Sequence, residues 1–187
     1  MMKTLCAGAI VLGLAAAPMH AAQQATTAEK ADKMMTGGKM PDETFVVKAA
    51  RGGMAEVELG KLAVDKAASD EVKKFGQRMV DDHGKAGDEL KTLAQNKHIT
   101  LPTTIGPEEQ ALHDRLAKLS GAAFDRAYMQ AMLTDHRKDV NEFRVEAKSG
   151  KDGDVKGWAA KTLPTLEEHL KLAQDANRAV GTSGKKP

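Results

Sequence analysis

Apolar residues recur at alternating spacings of three and four through four long stretches of the chain, each bounded by turn or capping residues. This period is that of a helix burying one face. It predicts helices over about 43–67, 70–95, 122–148 and 154–179. The buried stripes read Phe45, Ala49, Gly52, Leu59, Ala63; Val72, Phe75, Met79, Ala86, Leu90, Leu93; Met132, Val140, Phe143, Ala147; and Val155, Ala159, Thr162, Leu166, Ala173, Ala176. No strand-like alternation of any length competes with them. Asp42, Ser69 and Ser120 or Gly121 stand where helix caps belong, and Gly150 and Gly181 follow the third and fourth patterns. Pro164 falls inside the fourth pattern and is expected to kink it, because proline removes a backbone donor.

The connections have unequal lengths. Short links join the first helix to the second and the third to the fourth, so each pair is an antiparallel hairpin. The link between the hairpins is long, contains Pro102, Gly106 and Pro107, and carries a short helical pattern over 108–119. The expected fold is all-α: a ferritin-like four-helix bundle of two antiparallel hairpins with a long crossover containing a short helix.

Each stripe is interrupted once by a residue able to bind a metal: Glu56, His83, His136 and His169. At ~1.5 Å per residue, Glu56 and His83 come within about 3 Å of the same level across the first turn. His136 and His169 are offset by about one helical turn across the other. An isolated carboxylate or imidazole is costly to bury, so four such groups in one interior predict that they satisfy one another, directly or through a cation. Three imidazoles and a carboxylate suit zinc, iron, manganese or copper, and the spacing does not choose among these divalent transition metals. The alternative is a metal-free polar cluster, such as His83 with Glu56 and His136 with Tyr128. Asp125 and Tyr128, on the same stripe as His136, are candidate auxiliary groups for a bound cofactor or small ligand. Met79 and Met132 lie one turn before His83 and His136, where thioethers could add Cu(I) ligands, although methionine more often fills cores. Asp82 and Asp135 precede these histidines at the edge of the stripe, as partners of the ligands or as solvated residues.

The N-terminal segment changes the cellular setting. Lys3 precedes an apolar run over 5–17 that is too short to span a bilayer, and small residues follow, with cleavage expected near Ala21 or Ala22. The domain reading is therefore a signal peptide over 1–22, a flexible linker over 23–41, the bundle over 42–180 and a disordered tail over 181–187. The expected location is periplasmic or outer-membrane-associated. Cys6, the only cysteine, leaves with the leader. The mature chain then has no disulfide, thiolate metal site or cysteine nucleophile. Charge is nearly balanced, with 28 Lys and Arg against 26 Asp and Glu, and the signs alternate along the chain. With aromatic residues at only 3% there is neither a basic face nor a stacking platform for nucleic acid. No membrane span is expected in the mature chain. A metal ion, a small ligand or an envelope protein are the expected partners.

Four ordered segments resemble the bacterial domain-of-unknown-function family 4142: AEVELGKLA at 55–63, FGQRMVDDH at 75–83, GAAFDRAY at 121–128 and LPTLEEHL at 163–170. The resemblance covers about 42–179. It implies a ferritin-like fold in an exported protein, often described as an outer-membrane protein, and no established reaction. Glu56, His83, Asp125, Tyr128, His136 and His169 match positions typical of that family. Ferritin-like di-iron proteins place Glu three residues before a ligand His on two helices. Here Val80, Leu133 and Leu166 stand at those places, so ferroxidase chemistry is not inherited from the fold. The function expected is a non-enzymatic periplasmic helical-bundle protein whose core polar cluster binds a metal ion or small ligand during envelope stress. The alternatives are an interaction scaffold and a metal-dependent oxidoreductase.

Overall fold

A computed structural model describes residues 42–183 of the chain. The expected signal peptide, the linker and the last four residues of the tail lie outside the described residues. Among the described residues there are five α-helices and no strand: α1 Asp42–Lys66, α2 Asp70–Asn96, α3 Pro107–Ala117, α4 Gly121–Ser149 and α5 Gly153–Ser183. The expected boundaries lie within two residues of these, except that α5 runs four residues further, through Gly181, and is continuous across Pro164. None of these helices is long and apolar enough to cross a membrane.

Contacts at the helix ends fix their directions. The Asp42 carboxylate accepts from the backbone N–H groups of Lys151 and Asp152, and Lys97 pairs with Asp152 at 2.7 Å. The start of α1, the end of α2 and the α4–α5 link therefore share one end of the molecule. At the other end, the Asp125 carboxylate accepts from the N–H groups of Ala68 and Ser69, both at 3.0 Å, joining the start of α4 to the α1–α2 link. Accordingly α2 and α4 run in the same direction. The segment between them, with α3, has to travel back along the other helices. Asp42 does not precede its helix as a cap, as the sequence suggested. It is the first helical residue and binds orphan N–H groups of a different link. Ser69 and Ser120 do occupy N-cap positions, but with extended backbone and no side-chain capping bond.

The hydrophobic interior has two parts. One gathers Leu59, Phe75, Met79, Phe124, Tyr128, Met132 and Ala173. The other gathers Phe45, Leu90, Val140, Phe143, Trp158 and Leu166. Full burial of a large apolar side chain contributes about 1.5–3 kcal/mol relative to exposure, so these two clusters supply most of the drive to pack the helices. Between them, on every long helix, falls one of the interrupting polar residues. Helices α1 and α2 are pressed together beside this level: a Cβ on Gly60 would lie 2.6 Å from the Gly76 carbonyl oxygen, so glycine is required for that approach.

Candidate metal centre

Glu56, His83, His136 and His169 are all buried, with exposures of 0, 8, 0 and 0%. The packing brings the four together. The ring centroids of the three histidines are 5.2–5.9 Å apart. One ring nitrogen of each lies within 4.8 Å of the others. The one-turn offset read between His136 and His169 is no obstacle, since imidazoles of that reach span it. Glu56 approaches two of the rings, with Oε2 at 2.9 Å from His83 Nε2 and Oε1 at 3.3 Å from His136 Nε2.

Outer partners fix the tautomers of two of the rings. His136 Nδ1 lies 3.0 Å from the Met132 carbonyl oxygen, which can only accept, so Nδ1 carries the hydrogen. A neutral His136 then presents the lone pair of Nε2 to Glu56. His169 Nε2 lies 2.8 Å from Asp82 Oδ2, so Nε2 carries the hydrogen and Nδ1 is the bare nitrogen. That Nδ1 is buried without a partner. Glu56 Oε1 and Oε2, His83 Nε2 and His136 Nε2 face one another at these short separations without a well-directed hydrogen bond. Where two acceptors face each other in a buried cluster, a proton or a metal cation between them relieves the repulsion.

Charges within the cluster follow from its composition. Burial raises the Glu56 carboxyl, but the adjacent His83 and His136 outweigh burial and hold it at about 2. Burial also works against a charge on His83, and Glu56 overcomes it to raise that imidazole. His169 goes the other way. Burial takes it down to about 4 in spite of Asp82, so it stays neutral at pH 7, the form a metal requires. Asp82 is itself pulled up by burial and down more strongly by Arg78 and His169, and remains ionised.

The auxiliary groups named from sequence are not in this cluster. Asp125 lies eleven residues before His136 on α4, roughly 16 Å along the axis. Its carboxylate is occupied by the two backbone N–H groups of the α1–α2 link. Tyr128 packs one layer away, edge-on to Phe75 and stacked with Phe124. Phe75 stands between it and His136, in ring contact with both. The Tyr128–His136 hydrogen bond of the metal-free alternative is not made, and the Tyr128 hydroxyl is buried without a hydrogen-bond partner among the described residues. Met79 and Met132 are fully buried among the apolar side chains of the core.

Two further acids were not given their full place by the sequence. Asp139, one turn beyond His136, carries no mark in the stripe pattern, and Asp135 stands at the stripe edge. One carboxylate oxygen of each lies within 4.8 Å of the other and of Glu56. Burial and then Glu56 push Asp135 up to about 6 and Asp139 well above its usual range. Their spacing on α4, Asp135-His136 followed by Asp139, was the available signal.

Comparison with known structures yields relatives of the fold. A DUF305 protein from Streptomyces coelicolor superposes with a TM-score of 0.63 at 18% identity, covering 75% of this chain and 92% of its own. CopM in its Cu(II)-bound form gives 0.64 at 16% identity, covering 76% and 99%. A DUF305 fragment from Deinococcus radiodurans gives 0.65 at 13%, covering 77% and 98%. At these identities the likeness is one of fold. No curated protein matches the sequence. Residues 19–176 match the family described as a domain of unknown function, DUF4142, and the chain belongs to that family.

Proposed function

We propose that this protein is an exported ferritin-like four-helix bundle that binds one divalent transition-metal ion in its core, through His83, His136 and His169, with Glu56 as the anionic partner. The observation that carries the reading is the pair of outer hydrogen bonds, His136 to the Met132 carbonyl and His169 to Asp82, which leave bare ring nitrogens in a buried cluster. Three imidazoles and a carboxylate form a donor set suited to zinc, iron, manganese or copper. Copper merits a place among the ions tried, since CopM, similar in fold, is known in Cu(I)- and Cu(II)-bound forms. The role is binding rather than turnover. The Glu-x-x-His pairs of di-iron oxidases are missing, and no nucleophile accompanies the cluster. An ion held in an envelope protein fits metal sequestration or buffering under envelope stress.

A second reading is a metal-free scaffold whose Glu56 carboxylate pairs with a protonated His83 at 2.9 Å, for use in protein contacts in the envelope. Elemental analysis of protein purified without an affinity tag, followed by zinc titration, decides between them. One equivalent of metal per chain, abolished in the His83→Ala, His136→Ala double variant, supports the metal centre. Protein that takes up no zinc, copper, iron or manganese, and whose thermal stability none of them changes, establishes the scaffold.

A further inference from the structure

A cavity of about 950 Å³ opens between α1, α2 and the segment that leads from α2 to α3. It is within the size range of small-molecule sites. Small residues create it: Ala49 and Gly53 on α1 face Gly84 and Ala86 on α2, and a Cβ placed on Gly84 would meet no atom within 4 Å. Leu90 and Ile99 form apolar walls, and Phe143 and Trp158 supply aromatic faces. The floor is different in kind. It contains Glu56 and Asp139, and Asp135 adds a third carboxylate within 4.8 Å of both. Glu56 faces two imidazoles, His83 at 2.9 Å and His136 at 3.3 Å. Glu56 is fully buried, and neither of its oxygens has a directed hydrogen bond. The other charged residues of the lining are Glu58, Asp88 and Lys91, with His83 on the floor and His113 on α3. Acids therefore outnumber the single lysine.

We propose that this cavity binds a small organic cation, with an apolar body and one ammonium head. The body displaces water from the Leu90 and Ile99 walls. The head lies toward Asp139, in the field of Glu56 and beside the aromatic faces, where carboxylates and π-systems both favour a cation. An anion of the same shape meets three clustered carboxyl groups and is disfavoured. The site borders the metal centre, whose Glu56 and His83 lie on its floor. Asp139 is not among the proposed metal ligands.

Trp158 is the only tryptophan of the chain and lines the cavity, so its emission reports occupancy. Octylammonium chloride and sodium octanoate are titrated in parallel into the metal-free protein, by Trp158 fluorescence and by calorimetry. Saturable octylammonium binding is expected, at least tenfold tighter than octanoate, and weakening about fourfold for each methylene removed from the chain. Gly84→Leu, which fills the space, abolishes it. Asp139→Asn weakens it at least fivefold while retaining helical circular dichroism, and serves alone should Gly84→Leu not fold. Equal affinity for the two probes, no binding of either at millimolar concentration, or unchanged affinity in Asp139→Asn overturns the assignment. Octylammonium binding that persists in His136→Ala keeps the two sites distinct, whatever zinc does.

Discussion

Asp82 Oδ2 lies 2.8 Å from His169 Nε2, and the same oxygen receives the Arg78 guanidinium. One half-exposed carboxylate thus ties α2 to α5 and selects which nitrogen of a buried imidazole stays bare. Partners of this kind orient metal ligands and raise their basicity, and their removal typically costs 10–100-fold in affinity. Asp82→Ala is expected to weaken zinc binding by that factor with the stoichiometry still one per chain, as calorimetry would read. Loss no greater than twofold would show that His169 needs no orientation from Asp82.

Metal bound to the folded state alone must stabilise it. At a free zinc concentration one hundred times Kd the gain is about 2.7 kcal/mol. For a helical domain of this size that is a rise in Tm of about 5–10 °C. Scanning calorimetry with and without zinc measures it, and the shift should vanish in His136→Ala. A similar shift in that variant would place the ion elsewhere.

The pH dependence of the metal-free protein separates two opposing groups. His169 is held at about 4, below its ordinary 6.5, so the unfolded chain binds the extra proton between these values and stability rises with pH there. Asp135 is pushed up to about 6 from 3.8, so the native state holds the extra proton in that window and stability falls with pH. The two effects offset each other between about pH 4.5 and 6. In His169→Gln only the fall remains. Urea midpoints of that variant should decrease from pH 4.5 to 6, more steeply than those of the wild type. A parallel pair of curves would contradict the assignment.

Asp125 makes a contrasting prediction. Its carboxylate satisfies two N–H groups of the α1–α2 link from a site that is 4% exposed. Truncation to alanine strands both donors and should destabilise the protein by about 2–3 kcal/mol. Zinc affinity of the folded variant should be unchanged. Denaturant titration and calorimetry on the same sample test both halves.

The sequence made the centre legible because each stripe breaks only once at its polar residue, and counting from the two tight turns places Glu56 and His83 at one level. What it could not resolve depends on side-chain direction. Asp125 and Tyr128 share the His136 stripe, yet one turns to the neighbouring link and the other lies behind Phe75. Periodicity reports the face of a helix, not the contact made from it. Asp82 sat at the stripe edge, where its choice between solvent and His169 depends on how closely α5 approaches α2. The cavity was invisible for a related reason. Its floor could be read from α1, α2 and α4, but its roof is the segment around Ile99, whose course no repeating pattern specifies.

The four donors of the centre are spread over residues 56–169, and both hairpins contribute two. No fragment emerging early in synthesis can assemble them, because His169 arrives with the last helix. A chain threaded across a membrane before folding would make the trip with its donors dispersed. Any ion taken up would then be drawn from the metal pool of the compartment where the hairpins dock, not from that of the cytoplasm where the chain was translated.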